Sequence, residues 1–497
     1  MAMLYSASYL ANSEQKGTLA MKTMRNLTLG LLATLLVVTA AGCVTEPSNN
    51  SNSASPSPSA SPSPSGTTRS ALDVGVTLPV LDALLSDEAF RAQVKSQVSL
   101  SDAEIAQLQK IASDEVTKLR QANAEDQNGS AEESRQHASE AIRGAVGEEK
   151  AKQLFALAQE YWVKGNEEPN AADKTAANAN ASGPNAVPKD TRVVVNIPAY
   201  RMDVFREGEL VKSYKIGIGY PEFPLPTGLR KAQSIIFNPT WTPPDEPWVA
   251  KMKNVSAGER VDAGSKLNPL GPIKIPIGLP SLIHGGKSVA KLGTFASHGC
   301  VGLTTPQVQD FAKVLAQTSG TELSDALMQA NLKDKTQTKV VKLGHAVPVE
   351  LRYETIVAED GKLHIYKDVY DQNSNTEENL RAVLQANGVK MEDLSEAERT
   401  QVMDALNAMA SKPQTNLPSA AKSAPIASSA ADSTTTKSAK SATAKAVEKP
   451  AAKAKPIAKN QKEVVIEIAA LKGKGYPVAV NFDTGAGKPP ALLAKKV

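Results

Sequence analysis

Three polar, low-complexity segments interrupt this chain of 497 residues and limit how much of it can form a folded core. Residues 44–70 alternate Ser and Pro over part of their length, residues 166–190 are rich in Ala, Asn, Gly and Pro, and residues 411–462 are rich in Ala, Ser, Thr, Lys and Pro. Segments of this kind bury too little apolar surface to offset the entropy cost of ordering them. We therefore predict linkers at the first two, a disordered linker at the third, and folded blocks between them.

Charge and cysteine content exclude several classes of protein. Lys and Arg number 56 against 52 Asp and Glu, and the net charge of +4 is too small to favour a nucleic-acid binder. Two cysteines are too few for a disulfide-stapled scaffold or for a four-cysteine zinc or iron–sulfur site. We therefore expect no nucleic-acid partner and no cofactor.

The N-terminus is typical of a secreted protein. Lys22 and Arg25 precede an apolar run over residues 27–41, and Ala40-Ala41-Gly42 stand directly before Cys43. A basic flank, a short apolar run and a small-residue cleavage site are the marks of a signal peptide, and this run is too short to span a bilayer comfortably. Small residues before a cysteine resemble a bacterial lipobox, which implies cleavage before Cys43 and lipidation of that residue. Ordinary secretion and an uncleaved anchor are the alternatives.

We therefore predict a signal peptide with a lipobox at residues 1–43. The chain would then be a membrane-anchored lipoprotein of the cell envelope or periplasm, on the outer membrane if there are two membranes. The Ser/Pro linker at 44–70 would act as a spacer, because alternating Ser and Pro give an extended, semi-stiff chain.

Two blocks have helical patterns, one before and one after the central block of the sequence. In residues 71–165, a capping box at Ser101–Glu104 precedes apolar residues that share one helical face, which predicts a small helical domain. In residues 371–410, a second capping box at Ser395–Glu398 predicts a helical extension.

The central block, residues 191–370, has the alternating apolar positions that half-buried strands require, for example over 193–197. Asp360-Gly361 is typical of a hairpin turn. Many short strands separated by Gly and Pro predict a mostly β domain. A short C-terminal segment, residues 463–497, could add one more strand.

The residues able to do chemistry concentrate between positions 283 and 303. His284 is followed by two glycines, and Ser297-His298-Gly299-Cys300 follows shortly after. A thiol needs a base or a cation nearby to act as a nucleophile at neutral pH, and histidine is the usual source. Glycine beside the nucleophile lets a carbonyl substrate approach closely and leaves backbone N–H groups to bind an oxyanion. The set indicates acyl transfer through a thioester at Cys300, and a zinc site made of the two histidines and the cysteine is the alternative.

This pattern resembles the signature of the L,D-transpeptidase (YkuD) family, in which a histidine precedes a Ser/Thr-His-Gly-Cys core. The similarity covers residues 191–370 and includes four further segments, namely Asn196–Tyr200, Pro226–Gly228, Phe237–Pro244 and Asn268–Gly271. The resemblance implies a mostly β catalytic domain that acts on peptidoglycan stem peptides outside the cytoplasm. With the helical N-terminal domain and the disordered linkers, the fold class expected for the whole chain is multidomain α+β.

The resemblance also implies a reaction. Cys300 would attack the carbonyl of the L-centre of the diamino acid at the third stem position, release the terminal D-Ala and form a thioester. An amine of a second stem would then make a 3→3 crosslink, and a lysine of an envelope protein or water are the other acceptors. Carbapenems, which mimic the acyl donor, would acylate Cys300. A thiol L,D-carboxypeptidase or peptidoglycan hydrolase and a non-catalytic peptidoglycan-binding lipoprotein are the alternative functions.

Roles for individual residues follow from the matching positions. His284 stands at the place of the general base and His298 would shape the site, although which of them takes the thiol proton stays open. The backbone N–H groups of Gly299 and Cys300 are the oxyanion-hole candidates, and Ser297 is expected to form a hydrogen bond within the site. If this segment is a strand, the side chains of residues 298 and 300 point to one face.

Gly302 departs from the family pattern, because many relatives carry Arg or Asn two places after the cysteine. An arginine there would offer a fixed fork for a carboxylate or a carbonyl group of the substrate. Arg230, Lys231 and Lys287 are candidates to position the stem peptide instead, because they lie close to matched segments in the sequence. For each of them, an ordinary surface charge is the alternative.

Overall fold

The computed structural model describes residues 75–121, 129–164, 183–243, 254–256, 258–411 and 461–486. The predicted signal peptide, Cys43, the spacer and most of the other two linkers lie outside these residues and stay predictions. No helix within the described ranges is long and apolar enough to cross a membrane.

The N-terminal block is helical, and polar caps begin several of its helices. The Thr77 hydroxyl accepts a hydrogen bond from the Val80 N–H and so satisfies a donor that the first helical turn leaves without a partner. The predicted capping box is present: the Glu104 carboxylate accepts from the Ser101 N–H at 2.8 Å, and the Ser101 hydroxyl accepts from the Glu104 N–H at 3.3 Å. The helices are α1 (Leu78–Leu85), α2 (Glu88–Gln93), α3 (Asp102–Gln121), α4 (Ala131–Val146) and α5 (Glu148–Lys164), with a π-helical turn at Val94–Val98.

These helices pack around a core of their own. Leu81, Leu85, Phe90 and Leu108 are fully buried in it, and the Tyr161 ring lies 5.0 Å from that of Phe90. Burying one such side chain contributes about 1.5–3 kcal/mol, so the core is large enough to hold the short helices together.

The central block is built on an eight-stranded mixed sheet with the spatial order β3-β2-β1-β10-β5-β6-β7-β9. Its strands are β1 (Arg192–Asn196), β2 (Arg201–Arg206), β3 (Glu209–Lys215), β5 (Gly228–Phe237), β6 (Ile273–Pro276), β7 (Leu282–His284), β9 (Val301–Gly302) and β10 (Lys339–Arg352). Between β3 and β9 the chain also forms β4 (Ile218–Gly219) and β8 (Phe295–Ser297), which pair with each other in parallel. The predicted fold class, multidomain α+β with a mostly β catalytic domain, is confirmed.

Two helices between β9 and β10 cover one face of this sheet. They are α6 (Thr305–Thr318) and α7 (Asp325–Lys333). The first begins with a capping box between Thr304 and Gln307, and its buried Phe311 packs edge-on against Tyr214 with the ring centroids 5.7 Å apart. The main core therefore lies between α6 and the sheet, and the chemistry-bearing residues are positioned from the strands.

The predicted hairpin at Asp360-Gly361 is present, but it belongs to a second sheet. It joins β11 (Ile356–Glu359) to β12 (Lys362–Tyr366), and β12 pairs with β13 (Glu463–Glu467) from the C-terminal segment. This three-stranded sheet shares a separate core with the helices of the predicted extension, α8 (Glu377–Ala386) and α9 (Glu396–Met409). β10 is therefore the last strand that the chain adds to the main sheet. The hairpin packs with α8 and α9 instead, because its apolar face contacts theirs.

The helical block is joined to the β domain by specific polar contacts. The Thr77 hydroxyl donates to the Glu222 carbonyl at 2.7 Å. The N-terminus of α4 binds the Asp371 carboxylate through the Ser130 hydroxyl at 2.9 Å and the Ala131 N–H at 3.0 Å. An anion is stabilised at a helix N-terminus because unpaired N–H groups and the helix dipole both favour it.

Candidate active site

Strand pairing places His284 beside the strand that directly follows Cys300. β7 and β9 pair in parallel, with Ile283 opposite Val301 and His284 opposite Gly302. Ile283 and Val301 are fully buried in the main core, so the residues on either side of them face the other way. Cys300 directly precedes Val301 where β9 begins. The charges of Lys274, which lies beside His284 on this outward face, and of Lys287 act on both His284 and Cys300, so the two site residues share the same surroundings. A hydrogen bond from the Leu282 backbone to the thiol is consistent with this register.

Cys300 is a free, partly exposed thiol whose surroundings favour the neutral form. Burial raises the pKa of Cys300 above its ordinary value, while the Leu282 backbone hydrogen bond and the charges of Lys287 and Lys274 act in the opposite direction. The residue is therefore a thiol rather than a preformed thiolate at neutral pH, and it needs a base when it reacts.

His284, the predicted base, is deeply buried. Its side chain is 3% exposed, and Nδ1 lies 2.8 Å from the carbonyl oxygen of Gly285. A carbonyl can only accept, so Nδ1 carries the proton and Nε2 is left with its lone pair. Burial and the positive charge of Lys287 lower the pKa of His284 to about 3, although hydrogen bonds to the backbone of Gly285 and Leu270 oppose the shift. The imidazole is therefore neutral at neutral pH.

This histidine predicts a pH-dependent stability. The pKa of His284 is about 3 when folded and about 6.5 when unfolded, so below pH 6.5 the unfolded chain binds a proton that the folded chain does not. The contribution of His284 to the free energy of unfolding is therefore fully present above pH 6.5 and is lost as the pH falls. Between pH 7 and pH 5 the loss from this group is about 2 kcal/mol.

Urea unfolding of the wild type and of His284→Gln at pH 7 and pH 5 measures this loss. We expect the pH 5 penalty to be smaller by about 2 kcal/mol in the variant, since glutamine does not titrate. His345→Gln is the matched control, because His345 is exposed on β10. An equal pH 5 penalty in the wild type and His284→Gln would show that the imidazole is not buried in its neutral form.

The segment from Ser297 to Cys300 is a tight turn between β8 and β9, and the expectation of a strand here is wrong. Gly299 has φ +86°, a left-handed conformation that glycine adopts without strain. The Ser297 hydroxyl closes the turn: it accepts from the Cys300 N–H at 3.0 Å and donates to the Cys300 carbonyl at 2.5 Å. Ser297 thus forms the expected hydrogen bond within the site, and it fixes the backbone that carries the thiol.

This turn also changes the expectation for the oxyanion hole. The Cys300 N–H is committed to Ser297 and is not available to a substrate in this arrangement. The Gly299 N–H has no hydrogen-bond acceptor among the residues that the structure describes. Of the two predicted donors, only Gly299 is left for an oxyanion.

His298 lies in a slot between aromatic side chains. Its ring packs edge-on against Phe223 at 4.6 Å between centroids and is tilted against Tyr220 at 5.4 Å. These two aromatic residues come from the loop after β4, whose Glu222 carbonyl binds Thr77 of the helical block. The arrangement suits a residue that shapes the site rather than one that takes the thiol proton.

The three candidates for positioning a substrate lie in different surroundings. Arg230 is 4% exposed, and its guanidinium donates to the carbonyls of Gly278 at 2.7 Å and Leu279 at 3.0 Å, so it holds a loop in place. Lys231 is partly exposed on β5. Lys287 lies beside the site, because its charge acts on both Cys300 and His284.

Lys274 is a site residue that no sequence motif singles out. It lies on β6 directly opposite His284, and its charge acts on both His284 and Cys300. Only the alternation of Ile273, Lys274 and Ile275 could have indicated that it faces away from the core. Among the described residues, no group of three or more His, Cys, Asp or Glu side chains is placed to hold a metal ion.

Comparison with known proteins finds a family match that covers most of the β domain. Residues 190–341 match the model of the YkuD family, described as the L,D-transpeptidase catalytic domain. The solved catalytic domain of the E. faecium L,D-transpeptidase is 16% identical over 33% of this chain and 98% of that chain, with a TM-score of 0.21. LD transpeptidase LdtMt1 in complex with imipenem is 18% identical over 34% of this chain and 61% of that chain, with a TM-score of 0.21.

A third similar structure is the Ldtfm–avibactam carbamoyl enzyme, which is 16% identical, with a TM-score of 0.20. The match covers 33% of this chain and 49% of that chain, so this chain spans about half the length of that protein. No curated protein matches the chain. Residues 190–341 are therefore similar to the L,D-transpeptidase catalytic domain that defines the YkuD family.

Proposed function

We propose that this chain is a peptidoglycan L,D-transpeptidase in which Cys300 is the nucleophile and His284 the general base. The observation that supports the proposal is that β7, which ends at His284, pairs with β9, which directly follows Cys300, within the segment that matches the YkuD catalytic-domain model. A neutral imidazole beside a neutral thiol is the starting state that general-base catalysis needs.

The first half-reaction forms a thioester. His284 Nε2 takes the thiol proton as Sγ attacks the carbonyl carbon of the L-centre of the third stem residue. The Gly299 N–H stabilises the oxyanion, and collapse breaks the bond to the terminal D-Ala. The D-Ala amine takes the proton from His284 and leaves. The thioester keeps the acyl group activated without any nucleotide.

The second half-reaction transfers the acyl group. The side-chain amine of the diamino acid in another stem attacks the thioester carbonyl, which gives a 3→3 crosslink and returns the proton through His284 to the thiol. A lysine of an envelope protein as acceptor would attach that protein to peptidoglycan. Water as acceptor would make the protein an L,D-carboxypeptidase.

We also propose that the protein is exported and anchored to a membrane. The basic flank, the apolar run and the small residues before Cys43 support export and lipidation of that cysteine, and the 44–70 spacer would let the catalytic domain stand off the membrane. Peptidoglycan is found only outside the cytoplasm, so an exported, membrane-anchored enzyme of the periplasm is consistent with the proposed substrate.

Imipenem tests the nucleophile directly. We expect the folded chain from residue 71 onward to gain the full mass of one inhibitor molecule, because Sγ opens the β-lactam ring and the ring nitrogen takes the thiol proton. Peptide mapping should place the adduct on Cys300, and Cys300→Ala should gain nothing. A folded wild type without any adduct, or an adduct elsewhere, would contradict the proposed site.

A further inference from the structure

Lys287 occupies the space that a side chain at residue 302 would take. A Cβ atom added to Gly302 would lie 2.8 Å from Cγ, 3.1 Å from Cε and 3.5 Å from Cδ of Lys287. The aliphatic stem of Lys287 therefore lies flat over Gly302. The cationic side chain of Lys287 thus takes the place of the side chain that Gly302 lacks.

The backbone after β7 explains how Lys287 reaches this place. The Lys287 N–H donates to the Leu303 carbonyl at 3.0 Å, and the Leu303 N–H donates to the His284 carbonyl at 2.9 Å. Gly286 between them has φ +82° and passes within van der Waals contact of the 269–271 backbone, where no larger residue fits. The chain is thus held alongside β9, where the charge of Lys287 acts on Cys300.

A second lysine approaches the same two residues from the other side. Lys274 is the partner of His284 on β6, and alternation places its side chain on the face that carries His284. Burial lowers the pKa of Lys274, which shows that part of its hydration has been removed. Two cations on the outward face of a thiol–imidazole pair would suit a substrate that carries an anion close to the scissile bond.

We propose that Lys287, with Lys274 beside it, is the subsite that binds the free C-terminal carboxylate of the acyl donor. This assignment rests on the proposed function. The bond that Cys300 breaks joins the third residue to a terminal D-Ala, so the donor carries a carboxylate one residue beyond the attacked carbonyl. A cation whose stem crosses Gly302 is close enough to the thiol to reach that carboxylate, and pairing with it would fix the donor for attack.

The test compares three donors with the wild type and Lys287→Met, which keeps the stem packed over Gly302 but removes the charge. The donors are a tetrapeptide with a free C-terminus, its C-terminal amide, and a tetrapeptide whose diamino-acid carboxylate alone is amidated. We expect the wild type to prefer the free acid over the C-terminal amide by about 10- to 100-fold in kcat/KM, since one charge-assisted hydrogen bond is lost. Lys287→Met should lose that preference, so that its ratio of kcat/KM for the free acid to kcat/KM for the amide falls towards 1.

Two variants complete the experiment. Lys342→Met, at an exposed lysine of β10, should behave as the wild type. Lys287→Ala combined with Gly302→Arg should regain a preference for the free acid, because it returns a cation to the same space. An unchanged acid preference in Lys287→Met, or a double variant that regains none, would overturn the assignment. A preference that depends instead on the diamino-acid carboxylate would also contradict it.

The subsite and the proposed function can be disproved independently of each other. Acylation of wild-type Cys300 by imipenem does not require discrimination between the acid and the amide. A chain that is acylated at Cys300 but treats both donors alike in the wild type disproves the subsite only. A chain that is never acylated disproves the function on which the subsite rests.

Discussion

Cys300→Ala should lower acyl transfer by at least about 10⁴-fold, because no other group in the turn can form the thioester. The thiol is partly exposed and takes no part in the hydrogen bonds that close the turn, which run through the Cys300 backbone and the Ser297 hydroxyl. Alanine keeps these backbone groups. The variant should therefore fold as the wild type does, with a free energy of unfolding that changes by less than about 1 kcal/mol.

This variant also separates catalysis from simple binding. Sedimentation with purified peptidoglycan should show that Cys300→Ala binds as the wild type does, while product formation is lost. If the wild type binds peptidoglycan, forms no product and behaves identically to Cys300→Ala, the chain is a non-catalytic binding lipoprotein. Product formed at an equal rate by both proteins would place the nucleophile elsewhere.

His284→Gln should slow thioester formation by about 10²–10⁴-fold, which is the range that a positioned general base contributes. The burial that lowers the pKa of His284 to about 3 and raises that of Cys300 leaves both groups neutral, so proton transfer must accompany attack in the wild type. Without the imidazole, only the small fraction of ionised thiol reacts, and the rate of the variant should rise about tenfold per pH unit between pH 6 and pH 8.

Stopped-flow measurement of imipenem acylation across this pH range distinguishes a base from a structural residue. We expect a much flatter profile in the wild type than in His284→Gln, and a wild-type profile in His345→Gln. A His284→Gln protein with the same slope as the wild type at a uniformly lower rate would indicate that His284 only supports the local structure. Loss of activity in His298→Gln with the steep slope would assign the base to His298 instead.

Local patterns were enough to predict several of the helices and turns. The capping boxes at Ser101 and Ser395 and the hairpin at Asp360-Gly361 depend on residues within four positions of each other, and each is present. The motif also predicts that His284 and Cys300 act together, and the strands next to them, β7 and β9, are paired.

Features that depend on distant pairing were not predictable in this way. Lys274 faces the site only because β6 pairs with β7 in one particular register. The turn at Gly299 is not evident from the motif, since sequence does not reveal that the Ser297 hydroxyl binds both backbone groups of Cys300. Arg230 was read as a surface charge or a substrate ligand, whereas it holds the carbonyls of the loop after β6.

The helical block illustrates the same limit. Its capping box and apolar stripe predict helices, but its contacts with the β domain join residues more than a hundred positions apart. Thr77 binds the Glu222 carbonyl, and the next residue, Phe223, packs against His298. The helical block therefore supports the loop that forms one wall of the site.

The central claim is that Cys300 transfers the acyl group of a stem tetrapeptide, and its products test this most directly. Soluble protein from residue 71 onward and its Cys300→Ala variant are each incubated with purified disaccharide-tetrapeptide, and the products are read by mass spectrometry. We predict a dimer that lacks one D-Ala, present with the wild type and absent with the variant. Cysteine-dependent monomers shortened by one D-Ala would mean that water is the acceptor, whereas unchanged tetrapeptide in both samples would contradict the claim.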